Sequence, residues 1–258
     1  MTNNKINAVA VLTSVLIMAM IMTTPLVSAD NVQSAPRIKL KEGTSSNWSG
    51  FASASNISSP SSNYVKEVKG TWTVPTLTCG PSSTYSSAWV GIDGYSDGTV
   101  EQLGTESDCS QGIQKNYAWY EMYPKSSHLI TGISVHPGDV FNAKVTYVGN
   151  NNFQLSITDV TTGKSYSNTF KTHANRSSAE WIVEAPYSGG VLPLANFGTM
   201  TFTNAQFTDN AGNVHAIDGN GLGTFDPITM KQPSGVTSTP SALTDSGTAS
   251  SFSVTYSP

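Results

Sequence analysis

The sequence predicts an all-β protein, a two-sheet antiparallel β-sandwich of jelly-roll or concanavalin-like form. Short runs alternate apolar and polar residues with period two, no stretch sustains a capped 3.6-residue apolar period, and Gly, Asn and Ser-Thr clusters punctuate the chain at short intervals. In chain order, Val68, Gly70, Trp72 and Val74 mark a strand that Pro75 ends. Phe141, Ala143, Val145 and Tyr147 alternate with Asn142, Lys144 and Thr146, the pattern of a strand with one buried face. Gly149-Asn150-Asn151-Asn152 is hairpin chemistry, since Gly and Asn tolerate the positive φ of tight turns. It leads into a second alternating run at Phe153, Leu155 and Ile157, and Phe252, Val254 and Tyr256 form the last strand. Many short strands of this kind bury their apolar faces by packing sheet on sheet.

The chain begins with Lys5, an apolar stretch from Ala8 to Met22, and Val27-Ser28-Ala29, so residues 1–29 read as a secretory signal peptide, with an uncleaved anchor as the alternative. Residues 30–46 are polar and locally basic through Arg37, Lys39 and Lys41, a linker or short pro-segment; residues 47–258 suffice for one domain. A secreted, extracellular setting makes a disulfide the expected state of Cys79 and Cys109. His128, His136, His173 and His215 are scattered and no Cys-x-x-Cys occurs, so neither a metal nor another cofactor is expected. With 12% charged residues and a formal net charge of -4, the chain lacks the basic patch that nucleic acid requires. A surface of Ser, Thr, Asn and Gly suits acid, because its charge changes little as pH falls. No membrane contact after leader removal and a monomeric state are expected.

Four segments put residues on a strand face that a purely structural strand would not choose. In Ala88 to Gly94, Trp89, Gly91 and Asp93 oppose Ala88, Val90 and Ile92; in Val100 to Thr105, Gln102 shares a face with Val100 and Gly104. Trp119, Glu121 and Tyr123 share a face in Ala118 to Pro124, as do Glu180, Ile182 and Glu184 in Ser178 to Glu184. Any one of these is ordinarily packing or a solvated glutamate. Four together describe a cleft for a polymer. Carboxylates flanked by Trp89 and Trp119 leave open a jelly-roll glycoside hydrolase working through Glu121 and Glu180, or a non-catalytic carbohydrate-binding sandwich. Gly94-Tyr95-Ser96-Asp97-Gly98 fits Gly-x-Ser-x-Gly, but strand-like Thr99 to Leu103 follows where a nucleophile elbow needs a helix, so it reads as a turn.

These segments resemble the glutamic peptidases, or eqolisins. The likeness runs from about Asn47 to the C-terminus through Asn47-Trp48-Ser49-Gly50, Trp72-Thr73-Val74-Pro75, Ala88 to Gly94, Glu101 to Thr105, Ala118 to Pro124, Ala179 to Glu184 and Leu194 to Gly198. It implies a sandwich of two large antiparallel sheets, an acid endopeptidase acting on polypeptides, and a catalytic pair at Gln102 and Glu180. It implies substrate-binding or cleft-supporting roles for Trp89, Asp93, Trp119 and Glu121. Glu180 would take a proton from the attacking water and return it to the leaving nitrogen, while the Gln102 amide holds the oxyanion. An amide does not titrate in acid, and a carboxylate near its ordinary pKa, roughly 4, still serves as a base there. Glu184 shares the predicted face of Glu180 and competes with it for the role. Tyr117 departs from relatives that carry aspartate there, which puts the outer hydrogen-bond network in question. Arg37, Lys39 and Lys41 suggest a reduced pro-segment covering an acidic cleft at neutral pH.

Overall fold

The computed structural model describes residues 33–41, 43–220 and 224–258; the predicted signal peptide, residues 1–29, lies outside them. Among the described residues there are strands and no α-helix. The first are β1 (Lys39–Lys41), β2 (Thr44–Ser45), β3 (Trp48–Ala54), β4 (Val65–Thr73), β5 (Thr84–Ile92) and β6 (Val100–Ser110). Next come β7 (Ile113–Tyr123), β8 (His128–Leu129), β9 (Val140–Gly149), β10 (Asn152–Asp159), β11 (Ser165–Lys171) and β12 (Ser178–Glu184). The last are β13 (Thr199–Asp209), β14 (Val214–His215), β15 (Phe225–Lys231), β16 (Thr237–Pro240), β17 (Thr244–Ser246) and β18 (Ala249–Ser257).

The strands form the two sheets expected of a sandwich. The front sheet runs β15-β3-β12-β5-β6-β7-β8, antiparallel throughout. The back sheet runs β11-β10-β9-β4-β13-β18-β16-β15-β2-β1, antiparallel except where β15 meets β2. Strand β15 serves both. Its residues 225–228 pair with β3, while Met230 and Lys231 pair with β16, so this strand turns the corner between the sheets.

Alternation along each strand divides the front sheet into two faces. Val90, Leu103 and Trp181 point inward and meet Val68, Phe141, Leu155 and Phe202 of the back sheet in the main core. Trp48, Ala52, Trp89, Trp119, Ile182 and Ile228 point outward into a second apolar cluster. Every residue of β3 and β12 is therefore buried, although half of each strand faces away from the main core.

The local expectations hold where they fall on described residues. The hairpin between β9 and β10 has Asn150 at φ 53° and Asn151 at φ 60°. Residues 94–98 form the bend that joins β5 to β6, with no helix after the serine. Cys79 and Cys109 are joined in a disulfide that pins the segment before β5 to the end of β6.

Candidate active site

Cross-strand register brings residues distant in sequence into rows on the outer face of the front sheet. One row reads Asp226, Ala52, Glu180, Gly91, Gln102 and Glu121, across β15, β3, β12, β5, β6 and β7. Glu180 and Gln102 thus flank Gly91. Strand spacing separates their Cα atoms by roughly 10 Å, and Gly91 puts no side chain of its own between them. A Cβ there would lie 2.9 Å from the Trp89 ring and 3.1 Å from Gln102 Cβ.

The next row reads Ile228, Gly50, Ile182, Trp89, Gly104 and Trp119. Gly104 is required by packing, since a Cβ there would sit 2.2 Å from the Ala88 carbonyl oxygen and 2.6 Å from Trp89 Cβ. Trp89 is fully buried, meets Trp48 edge to face at 5.0 Å, and donates its indole N–H to Glu184 Oε2 at 2.9 Å. Trp119 donates to the Ser87 hydroxyl at 3.0 Å. These indoles form the floor of the site.

The two glutamates of β12 have opposite surroundings. Glu184 accepts from Trp89 at one oxygen and from the Ala35 backbone N–H, at 2.9 Å, and Asn47 Nδ2, at 3.2 Å, at the other. Burial pushes its carboxyl up to about 8 against those hydrogen bonds. Glu180 is also fully buried, but neither of its oxygens has a hydrogen-bond partner within bonding geometry. Burial holds its carboxyl well above the ordinary range; the nearby Ser178 hydroxyl works against this, and the charges of Asp93, Asp97 and Glu101 add to it. The sequence expectation of a carboxylate near its ordinary pKa does not describe Glu180 in this covered state.

Gln102 is buried and donates from Nε2 to Glu121 Oε2 at 2.8 Å. Burial, and then the charge of Glu184, push Glu121 well up, while the Ser34 amide opposes them. Asp93 follows β5 at φ 73°, and its carboxylate turns to the Arg176 amide at 2.6 Å and the Ser177 amide at 2.7 Å. It anchors the turn into β12, three residues before Glu180. Burial and Asp97 push Asp93 to about 7 despite those amides. Farther along β6, Glu106 lies opposite Tyr117, whose hydroxyl is close to Asp108. Tyr117 thus stands in a carboxyl cluster.

The segment expected as linker or pro-segment lies across this face. Ser34 reaches Glu121, Ala35 bonds Glu184 and takes the Trp48 indole N–H at 2.9 Å, and the Arg37 amide donates to the Gly94 carbonyl at 3.0 Å. The Arg37 guanidinium pairs with Asp226 at 3.1 Å and covers the Tyr95 ring at 4.6 Å. Asn47 is fully buried here, and its amide ties Ile38 and Glu184 together. Sequence reasoning missed Asp226, because the register that places it in one row with Glu180 joins strands far apart in the chain.

Comparison with known proteins finds relatives of the chain in both sequence and fold. A family model described as the Peptidase A4 family matches residues 46–256. Aspergillopepsin-2 of Aspergillus niger is 32% identical over 203 residues, 69% of each chain. Scytalidopepsin B of Scytalidium lignicola is 31% identical over 196 residues, 70% of this chain and 71% of that one. Among solved structures, scytalido-glutamic peptidase with a transition-state analogue inhibitor superposes with a TM-score of 0.66 at 26% identity, covering 82% of this chain and 98% of the other. Aspergilloglutamic peptidase from Aspergillus niger gives a TM-score of 0.58 at 29% identity, covering 67% and 99%.

Proposed function

The chain belongs to the peptidase A4, or eqolisin, family and is a glutamic endopeptidase, and on that premise we propose that Glu180 and Gln102 carry out the reaction in acid, outside the cytoplasm. The observation that carries this reading is the row in which Glu180 and Gln102 face one another over Gly91, with both oxygens of Glu180 uncommitted. Glu184 lacks that freedom, because both of its oxygens accept hydrogen bonds. The leader-like N-terminus and the Cys79–Cys109 disulfide support a secreted location.

In the proposed reaction the ionised Glu180 takes a proton from a water as that water's oxygen bonds to the scissile carbonyl carbon. The carbonyl oxygen becomes an oxyanion and receives an N–H from Gln102. The tetrahedral intermediate then expels the amine as the C–N bond breaks, and Glu180 returns its proton to the leaving nitrogen. Glu121 orients Gln102 through the 2.8 Å hydrogen bond and leaves the second amide hydrogen for substrate. The base must be ionised, and burial opposes that in the covered state. Withdrawal of residues 33–38 would admit water to the face and lower the pKa of Glu180 toward the acid range. Incubating the full chain with an unfolded protein from about pH 2 to 7 tests this reading. Cleavage confined to acid and lost in a folded Glu180→Gln variant is expected; cleavage that survives the substitution excludes Glu180 as the base.

A further inference from the structure

We propose that Ser177 and Asp97 are positioning residues for Glu180. With Asp93 they form an acid-operated latch, a pair of carboxyls bridged by one serine hydroxyl, which holds the turn after β5 against the start of β12. The consequence for catalysis rests on Glu180 being the base; the latch itself does not.

The hydroxyl oxygen of Ser177 lies 2.9 Å from Asp93 Oδ1 and 3.0 Å from Asp97 Oδ2. A hydroxyl has one hydrogen, so it donates to one of these oxygens and accepts from the other, which must carry a proton. The bridge is complete only while the pair holds that proton, and it breaks when both carboxyls ionise. Burial and the charge of Asp97 push Asp93 from 3.8 up to about 7. The closed latch thus keeps a proton that an open one releases, and it weakens as pH rises from the first value through the second.

Among the described residues, the charged side chains around the pair do not neutralise a second negative charge. Asp93 is 0% exposed, and the groups that couple to the pair from β6 and β12 are Glu101 and Glu180, both acids. The Arg176 guanidinium is turned to the Val65 carbonyl at 3.3 Å, Asn210 Oδ1 at 3.1 Å, Asn63 Oδ1 and the Tyr147 ring. Arg37 is taken by Asp226.

The latch lies where it can set the position of Glu180. Asp93 and Arg176 both hold left-handed backbone, at φ 73° and 55°, which residues other than glycine keep only where their surroundings impose it. Here Asp93 takes the amides of Arg176 and Ser177, Asp97 takes the Gly94 amide at 2.9 Å, and the Asp93 N–H donates to the Ser178 carbonyl at 3.0 Å. The residues that follow, Ala179 and Glu180, pair with Ile92 and Gly91. Opening the bridge loosens the end of β12 that carries Glu180, so the base is aligned in acid and less so toward neutral pH.

Hydrogen exchange of the full-length protein tests the latch, read by mass spectrometry over residues 93–98 and 175–180 and corrected for the intrinsic effect of pH. The β9–β10 hairpin serves as the reference. Relative to it, wild-type protection of both segments is expected to fall by about tenfold or more between about pH 4 and 7. In Asp97→Asn the side-chain NH2 donates to Ser177 at every pH, and the exposed Asn175 amide, now 3.2 Å from Asp97 Oδ2, can turn to accept from it. That fall should then shrink to about twofold. Ser177→Ala, with no bridge at any pH, should start from lower protection and fall less, and it decides if Asp97→Asn does not fold by circular dichroism. The ratio of kcat at about pH 6 to kcat at about pH 4 should be at least about twofold higher in Asp97→Asn than in wild type. Wild-type protection that does not change with pH, or an equal fall in the variants, overturns the latch, and an unmoved kcat ratio overturns its positioning of Glu180. Exchange is blind to which residue is the base, so failure of the Glu180 assignment is told apart from failure of the latch.

Discussion

Gln102 is the residue at which chemistry and structure meet most closely. Its amide does not titrate, and its Nε2 gives one hydrogen to Glu121 at 2.8 Å, which in the proposed reaction leaves the other for the oxyanion. Gln102→Ala should lower kcat by about 10²–10³ with a smaller change in KM, because the lost hydrogen bond forms mainly in the transition state. Steady-state kinetics on one peptide checks this; an equal loss through KM alone would make Gln102 a substrate anchor. This part of the site was legible from sequence because alternate residues of a strand share a face. Trp89 with Gly91, Gln102 with Gly104, and Glu180 with Glu184 each fall on the predicted side. Asp93 obeys the alternation only until its strand ends. There a φ of 73° turns its carboxylate to the amides of Arg176 and Ser177. The difference between Glu180 and Glu184 was not legible, since it depends on partners at Ala35, Asn47 and Trp89 that no local pattern reveals.

Among elements, the segment 33–41 departs furthest from its sequence appearance. Its polar, basic composition reads as a linker, yet Ser34, Ala35 and Arg37 are buried against the front sheet. That burial comes from partners distant in sequence. Its attachment is mostly polar: the Arg37–Asp226 ion pair, the Ala35 bond to Glu184 and the Arg37 bond to Gly94. Arg37→Ala removes the ion pair and the contact with Tyr95, and should speed peptide cleavage several-fold in the first minutes of assay near about pH 6. Equal initial rates in both proteins would show that this segment does not limit access. The alternating strands β9 and β10 were readable because they bury one face. Strands β3 and β12, buried on both, offer no such contrast and show themselves only through their motifs.

Over the whole molecule, buried carboxyls set the response to pH. Burial pushes Glu184 from 4.5 to about 8, Asp93 from 3.8 to about 7 and Asp108 from 3.8 to about 6, and holds Glu101, Glu106, Glu121 and Glu180 well above 4.5. In each case the folded state binds its proton more tightly than the unfolded chain. The resulting stability is fully present below about pH 4 and falls as pH rises through 6, 7 and 8. Asp209 acts in the opposite sense: its bonds from His215 and Asn213 outweigh burial and lower it from 3.8 to about 2, so its contribution is lost as pH falls from the first value through the second. Thermal unfolding should therefore show a Tm at pH 4 at least about 5 °C above that at pH 8; a Tm that rises over this interval would contradict the linkage. The same burial leaves two glutamates on one strand, Glu184 bonded to its neighbours and Glu180, the proposed base, without hydrogen-bond partners. The most direct measurement of that division is kcat on a single peptide for Glu180→Gln beside Glu184→Gln, both confirmed folded. The account predicts that Glu180→Gln loses about 10²–10⁴ in kcat while Glu184→Gln stays within about tenfold of wild type; the reverse order would contradict it.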